Sequence, residues 1–142
     1  MSHLYNVNLK WNEGRIGEIS SPELISKIEV ATPPQFPKGV EGIWSPEHLF
    51  VAAVNSCFMT TFLSIAENSR LEFLEFSCNS IGYLDQVDGK FKITKVVLSP
   101  RLLITKQADK EKAFRVLNKS EIACLISNSI NSEVQLQPEV LY

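Results

Sequence analysis

Ser45-Pro46-Glu47-His48-Leu49-Phe50-Val51-Ala52-Ala53-Val54-Asn55-Ser56-Cys57-Phe58-Met59-Thr60-Thr61-Phe62-Leu63-Ser64-Ile65-Ala66-Glu67 is the stretch from which the fold is read. Ser45 can cap a helix with its hydroxyl, and Pro46 suits the first helical position because its missing N–H needs no partner. Glu47 then places negative charge at the positive end of the dipole. Behind that start signal the apolar residues leave only a narrow polar stripe, Ser56, Thr60, Ser64 and Glu67, so the sequence predicts a helix buried on most sides. Its longest unbroken apolar run is the six residues Leu49–Val54, which argues for a core helix rather than a membrane span. Cys57 lies in its middle, with small residues, Ala53 and Thr61, one turn away on either side. Another group can therefore approach the sulfur.

The rest of the composition sets bounds. A chain of 142 residues is expected to form a single domain, residues 1–142, and needs no disulfide staples to hold a core. Its three cysteines, Cys57, Cys78 and Cys124, follow an N-terminus with neither a basic region nor an apolar one, which points to a reducing cytoplasm. Fourteen basic and 16 acidic residues, spread along the sequence for a net charge of −2, give no electrostatic footprint for a phosphate backbone. Nucleic acid is not an expected partner.

Working outward from the helix, Tyr5, Val7, Leu9 and Trp11 alternate with Asn6, Asn8 and Lys10, the period of a strand with one buried face. A turn at Asn12–Gly17 puts Arg15 at a hairpin corner and returns a short strand near Glu18–Ser20. Leu24–Ala31 reads as a third strand, and the three prolines of Thr32–Gly39 make a loop. Beyond the helix, Phe73–Gln86 and Phe91–Thr105 read as long strands joined at Asp88-Gly89. Pro100 predicts that the second is an edge strand or is bent. Ala108–Ser127 has helical spacing, with Ala113, Val116, Leu117, Ser120, Ala123, Cys124 and Ser127 on one face. Val134, Leu136 and Val140 end the chain as a strand broken by Pro138. The expected plan is α+β, a sheet covering two helices.

Cys57 and Cys124, on separate helices among small neighbours, could approach within the roughly 4.4 to 6.8 Å between Cα atoms that a disulfide requires. They could equally be small buried hydrophobes, as free cysteine usually is. Cys78, alternating with Leu74, Phe76 and Leu84, reads as core filler. A cysteine–histidine dyad fails within one chain, since His48 is about 14 Å from Cys57 along the helix and His3 is at the terminus. The three cysteines lack the paired short spacings of zinc sites. Alone, Arg15 is a surface arginine and Glu47 a helix-start carboxylate. Phe50, Phe58, Met59 and Phe62 could line an apolar pocket or simply fill the core.

Taken together, Gly14-Arg15-Ile16-Gly17, Ser45-Pro46-Glu47-His48-Leu49-Phe50 with Ala52-Ala53 and Ser56-Cys57-Phe58, and Ala123-Cys124-Leu125-Ile126-Ser127 make the chain resemble the OsmC/Ohr family of cysteine-based hydroperoxide reductases. The resemblance covers nearly the whole chain. It implies an OsmC-like fold, antiparallel sheets wrapped around two central helices in an intertwined homodimer with sites at the interface. It assigns Cys57 as the peroxidatic cysteine, Cys124 as the resolving cysteine, Arg15 as the arginine facing the thiolate, and Glu47 as the carboxylate orienting Arg15. No cofactor is implied. The implied partners are an organic hydroperoxide substrate and a dithiol reductant, a lipoyl-type protein or a small thiol. Glu47 and Cys57 are about 15 Å apart along one straight helix, so an arginine or a second subunit must bridge them. In family members with demonstrated peroxidase activity proline commonly follows the second cysteine. Leu125 stands there in this chain, restoring a backbone N–H and predicting that the helix continues. Two other readings of the same fold are a redox-sensing or ligand-binding module, and a cysteine-nucleophile acyl-transfer enzyme using a histidine from across the dimer.

Overall fold

The computed structural model describes residues 1–142, which divide into two compact units, Met1–Leu49 and Phe50–Tyr142. In the first unit, β1 (Asn8–Glu13), β2 (Ile16–Ser20) and β3 (Ile28–Ala31) form an antiparallel sheet in that order. The β1–β2 corner is Gly14-Arg15. Gly14 has φ +51°, a left-handed angle glycine adopts at no steric cost, and its carbonyl accepts a hydrogen bond from Trp11 Nε1 at 3.1 Å. The strands begin later than the alternation predicts: Tyr5 and Val7 precede β1, and Leu24 precedes β3. The expectation of a buried face on β1 is also corrected, because Leu9 and Trp11 are 70% and 72% exposed. The alternation marks a face able to be covered, and nothing else in the first unit covers it.

The proline-rich loop is fixed by its own backbone, Phe36 N–H bonding Pro33 O and Gly39 N–H bonding Phe36 O. Ala31 N–H bonds Trp44 O at 2.8 Å, which leads the chain to the helix start. There the Ser45 hydroxyl accepts the His48 N–H at 3.1 Å, the predicted cap, and lies 2.7 Å from His48 Nδ1. Helix α1 (Pro46–Asn68) begins at this cap and runs on into the second unit.

In the second unit β4 (Phe73–Val87) and β5 (Lys90–Ile104) pair antiparallel over their whole length, from Phe73↔Ile104 to Val87↔Lys90. Asp88 and Gly89 both have positive φ, as a two-residue turn matched to strand twist requires. After α2 (Lys110–Ala123), β6 (Glu133–Leu136) and β7 (Glu139–Leu141) each pair with β5, and both are parallel to it. The sheet is therefore mixed rather than wholly antiparallel. Pro100, expected at an edge or bend, lies inside central β5. Its missing N–H is tolerated because β6 pairing ends at Leu98↔Leu136 and β7 pairing begins at Arg101↔Glu139, leaving a gap at Pro100 that Pro138 occupies in register.

Val54, Phe58, Phe62 and Ala66 of α1, Val96, Leu98, Leu102 and Ile104 of β5, and Ala113, Val116 and Leu117 of α2 form the core, with Leu71. Phe62 stacks on Phe76 at 4.6 Å between ring centroids. Phe58 and Phe62 are thus core residues, not pocket lining. Length and hydropathy alone would let α1 cross a membrane, but this buried stripe has a protein partner. Its other side is open, with Met59 and Leu63 exposed, so α1 is buried on fewer sides than its composition predicts. Gly82 in β4 has a packing reason to lack a side chain: a Cβ there would fall well inside contact distance of Val51 Cγ2.

Candidate active site

Cys57 sits on α1 next to Phe58, whose ring fills the core, and is itself largely buried. The small neighbour at the next turn, Thr61, places its hydroxyl 3.9 Å from the sulfur. Cys124 is fully buried and is the first residue beyond α2. Each thiol influences the acidity of the other, and both are free.

The helix leading to Cys124 stops where the sequence predicts it to continue. Cys124 has φ −63° and ψ 114°, an extended conformation, although Leu125 could sustain a helix. The turn is held by Asn128, whose N–H bonds Cys124 O at 3.0 Å and whose side-chain amide bonds Ile122 O at 3.1 Å. The Ser129 hydroxyl satisfies Leu125 O at 2.7 Å. These bonds satisfy carbonyls at the helix end and favour the turn over another helical residue.

The consequence is electrostatic. Burial alone would raise the Cys57 thiol, but the backbone N–H of Ile126, the Cys124 thiol, the Thr61 hydroxyl and the N–H of Leu125 all hydrogen-bond its sulfur, and the net displacement is downward. Cys124 moves the opposite way. Burial raises it most, and the hydrogen bond and charge of Cys57 raise it further against the bonds from Ser127. Cys124 also lies at the negative end of α2, where an anion is disfavoured. The two thiols are therefore displaced in opposite directions, Cys57 down and Cys124 up.

Cys78 is different in kind. It lies on β4 opposite Pro100, and burial pushes its thiol up to about 11 against a bond from the Ser99 backbone. It borders a cleft of about 320 Å³ with Ala52, Asn55, Ser56, Met59, Phe76 and Ser77. Asn55 Nδ2 donates to Cys78 O at 2.9 Å. Met59 thus lines a cleft, while Phe50 packs against the core.

Arg15 and Glu47 belong to the first unit. Arg15 borders a groove of about 270 Å³ that is otherwise mostly apolar, with Leu9, Trp11, Ile16, Val30 and Pro46 among its walls. Glu47 Oε1 is buried and has no hydrogen-bond partner, and no ion pair joins it to Arg15. His48 is engaged with Ser45 and Trp44, an arrangement of the helix cap. No cluster of three or more histidine, cysteine or carboxylate side chains is placed to hold a metal ion.

Sequence reasoning named both cysteines but missed the donors around Cys57. Thr61 was visible only as a small residue one turn on. The N–H groups of Leu125 and Ile126 have no side-chain signature, although leucine in place of proline at 125 supplies one of them.

The family model described as OsmC-like protein matches residues 39–139. The uncharacterized protein YmaD of Bacillus subtilis is 27% identical over 142 residues, covering 96% of this chain and 93% of that protein. The organic hydroperoxide resistance protein OhrB of the same organism is 25% identical over 138 residues, covering 96% and 98%. Among solved structures, an OsmC-like protein of Vibrio cholerae superposes with a TM-score of 0.86 at 28% identity, covering 97% of this chain and 99% of that one.

Proposed function

The chain belongs to the OsmC-like family, and from that premise we propose that it is a thiol-dependent peroxidase reducing organic hydroperoxides to alcohols. The observation that carries the reading is the Cys57–Cys124 pair of free thiols, each influencing the other, lowered at one sulfur and raised at the other. In the first step the Cys57 thiolate attacks the terminal peroxide oxygen. The O–O bond breaks, the alkoxide leaves and takes up a proton, and Cys57 becomes a sulfenic acid. In the second, Cys124 sulfur displaces the sulfenic oxygen as water, forming the Cys57–Cys124 disulfide. A dithiol reductant of the lipoyl type, or a small thiol, supplies two electrons and two protons to restore both thiols. The resemblance of the chain to OhrB supports organic hydroperoxides as the substrate class.

An ordinary cysteine is a few per cent thiolate near neutrality, so full ionisation raises reactivity at most about thirty-fold, or ~2 kcal/mol. Most of the acceleration must come from stabilising charge as the O–O bond breaks. The family pattern assigns that work to Arg15, with Glu47 orienting it. The unpartnered Glu47 Oε1 supports the assignment, since a buried carboxylate oxygen calls for a donor.

A homodimer is part of this proposal. Leu4, Tyr5, Val7, Leu9 and Trp11 in the first unit, and Ile81, Tyr83, Leu84 and Phe91 on the long hairpin, are all exposed and offer apolar surface that a second copy would cover. The free thiols fit a reducing compartment such as the cytoplasm. The test is steady-state consumption of cumene hydroperoxide with a dithiol reductant. Turnover should be abolished in Cys57→Ser and reduced at least tenfold in Arg15→Lys, because lysine lacks the guanidinium fork. Near wild-type turnover in Arg15→Lys would remove Arg15 from the mechanism.

A further inference from the structure

A threonine inside a helix ordinarily turns its hydroxyl back to the carbonyl three or four residues earlier. Thr60 does so, donating to Cys57 O at 3.0 Å. Thr61, four residues after Cys57 on α1, does not: its hydroxyl bonds no carbonyl and instead lies 3.9 Å from the Cys57 sulfur. The carbonyl four residues before it, Cys57 O, is the one the Thr60 hydroxyl already occupies. Residues four apart in a helix stand one above the other, and each Cα–Cβ bond leans toward the helix N-terminus, so Thr61 leans toward the turn of Cys57. The hydroxyl and the sulfur are thus held together by α1 alone. An apolar side chain would serve packing at this half-buried position, whereas a hydroxyl beside a largely buried sulfur supplies a donor where an anion is otherwise poorly solvated.

We propose that Thr61 is a further functional residue of the site, its hydroxyl donating to the Cys57 thiolate and stabilising the charge on that sulfur. In the thiol state either atom can be the donor, and 3.9 Å is the separation of a long, weak bond to sulfur. Once Cys57 has lost its proton only the hydroxyl can donate, and the bond becomes charge-assisted and shorter. That change needs a rotation of the threonine side chain and no movement of the backbone. The downward displacement of the Cys57 thiol, to which this hydroxyl contributes, accords with the arrangement. The other titratable group acting on Cys57 is the Cys124 thiol, which Thr61 does not hydrogen-bond, so a substitution at Thr61 leaves that influence in place. The inference rests on Cys57 being the reactive thiolate, as the peroxidase reading requires, yet it concerns the ionisation of the sulfur and not its later oxidation.

Thr61→Val is the direct test, since it replaces the hydroxyl by a methyl and keeps the branched shape. The pH at which iodoacetamide alkylation of Cys57 reaches half its maximal rate, followed by peptide mass spectrometry, should move up by about one unit, as loss of a hydrogen bond to a charged group predicts. Thr61→Ser, which keeps the hydroxyl and loses the methyl, should titrate as the parent does. If Thr61→Val does not fold, Thr61→Ala deletes the same hydroxyl and should give the same upward shift. A parent-like midpoint in a folded variant lacking the hydroxyl, or an equal shift in Thr61→Ser, overturns the assignment. Alkylation needs no peroxide. A shifted midpoint in a protein that does not turn over hydroperoxide would sink the peroxidase reading and leave the role of Thr61 standing.

Discussion

Cys57, on α1, and Cys124, the first residue beyond α2 at that helix's negative end, are displaced in opposite directions, the one thiol down and the other up. The position makes the two cysteines unequal. The Cys124 thiol favours charge on Cys57, while burial, the helix end and the charge of Cys57 disfavour it on Cys124.

That inequality predicts an order of modification. In reduced protein at about pH 7, iodoacetamide should alkylate Cys57 well before Cys78 or Cys124, read by peptide mass spectrometry over time. Cys124→Ala, which deletes the donor, should slow Cys57 alkylation several-fold. Cys124→Ser, which keeps a hydroxyl donor, should slow it less. Faster alkylation of Cys124 than of Cys57 would reverse the assigned roles.

Cys78 makes a prediction about alkaline stability. Its thiol is pushed to about 11 in the fold against an ordinary value of 9.0. Between those values the unfolded chain has released the proton that the folded chain retains, so stability is present below 9.0 and is lost as pH rises toward about 11. In Cys78→Ala, denaturation midpoints should fall less steeply over this range than in the parent. Equal slopes would mean that Cys78 titrates normally.

Ser45 is a cap whose worth can be measured. Its hydroxyl accepts the His48 N–H at 3.1 Å and it is fully buried. Ser45→Ala should cost about 1 kcal/mol, read as a lower denaturant midpoint at unchanged slope, and Ser45→Thr should recover part of it. A neutral Ser45→Ala would mean that Pro46 and Glu47 suffice to start α1.

Gly82 and Val51 should be coupled. Gly82→Ala forces its Cβ against Val51 Cγ2 and should destabilise by about 1 to 3 kcal/mol, and adding Val51→Ala should return part of that loss. Strictly additive effects would show that the helix and strand adjust independently.

What could be read from the sequence was local. The Ser45 cap, the long apolar helix, the Asp88-Gly89 turn and the helical spacing before Cys124 all follow from rules acting within a few residues. The readings that failed depended on partners distant in sequence. Pro100 looked like an edge residue because the gap between β6 and β7 exists only once three strands assemble. Trp11 and Leu9 alternated correctly, but alternation cannot say whether this chain supplies the covering layer. At the site, the cysteines are visible as residue types, whereas their opposed acidities depend on burial and on groups from distant parts of the chain.

The most direct test is mass spectrometry of the reduced protein after one equivalent of cumene hydroperoxide, with Cys57→Ser and Cys124→Ser beside it. The account predicts rapid loss of two hydrogens and a Cys57–Cys124 crosslink in the parent, and no such crosslink in either variant. A parent mass unchanged over minutes, with both thiols still free, would contradict it.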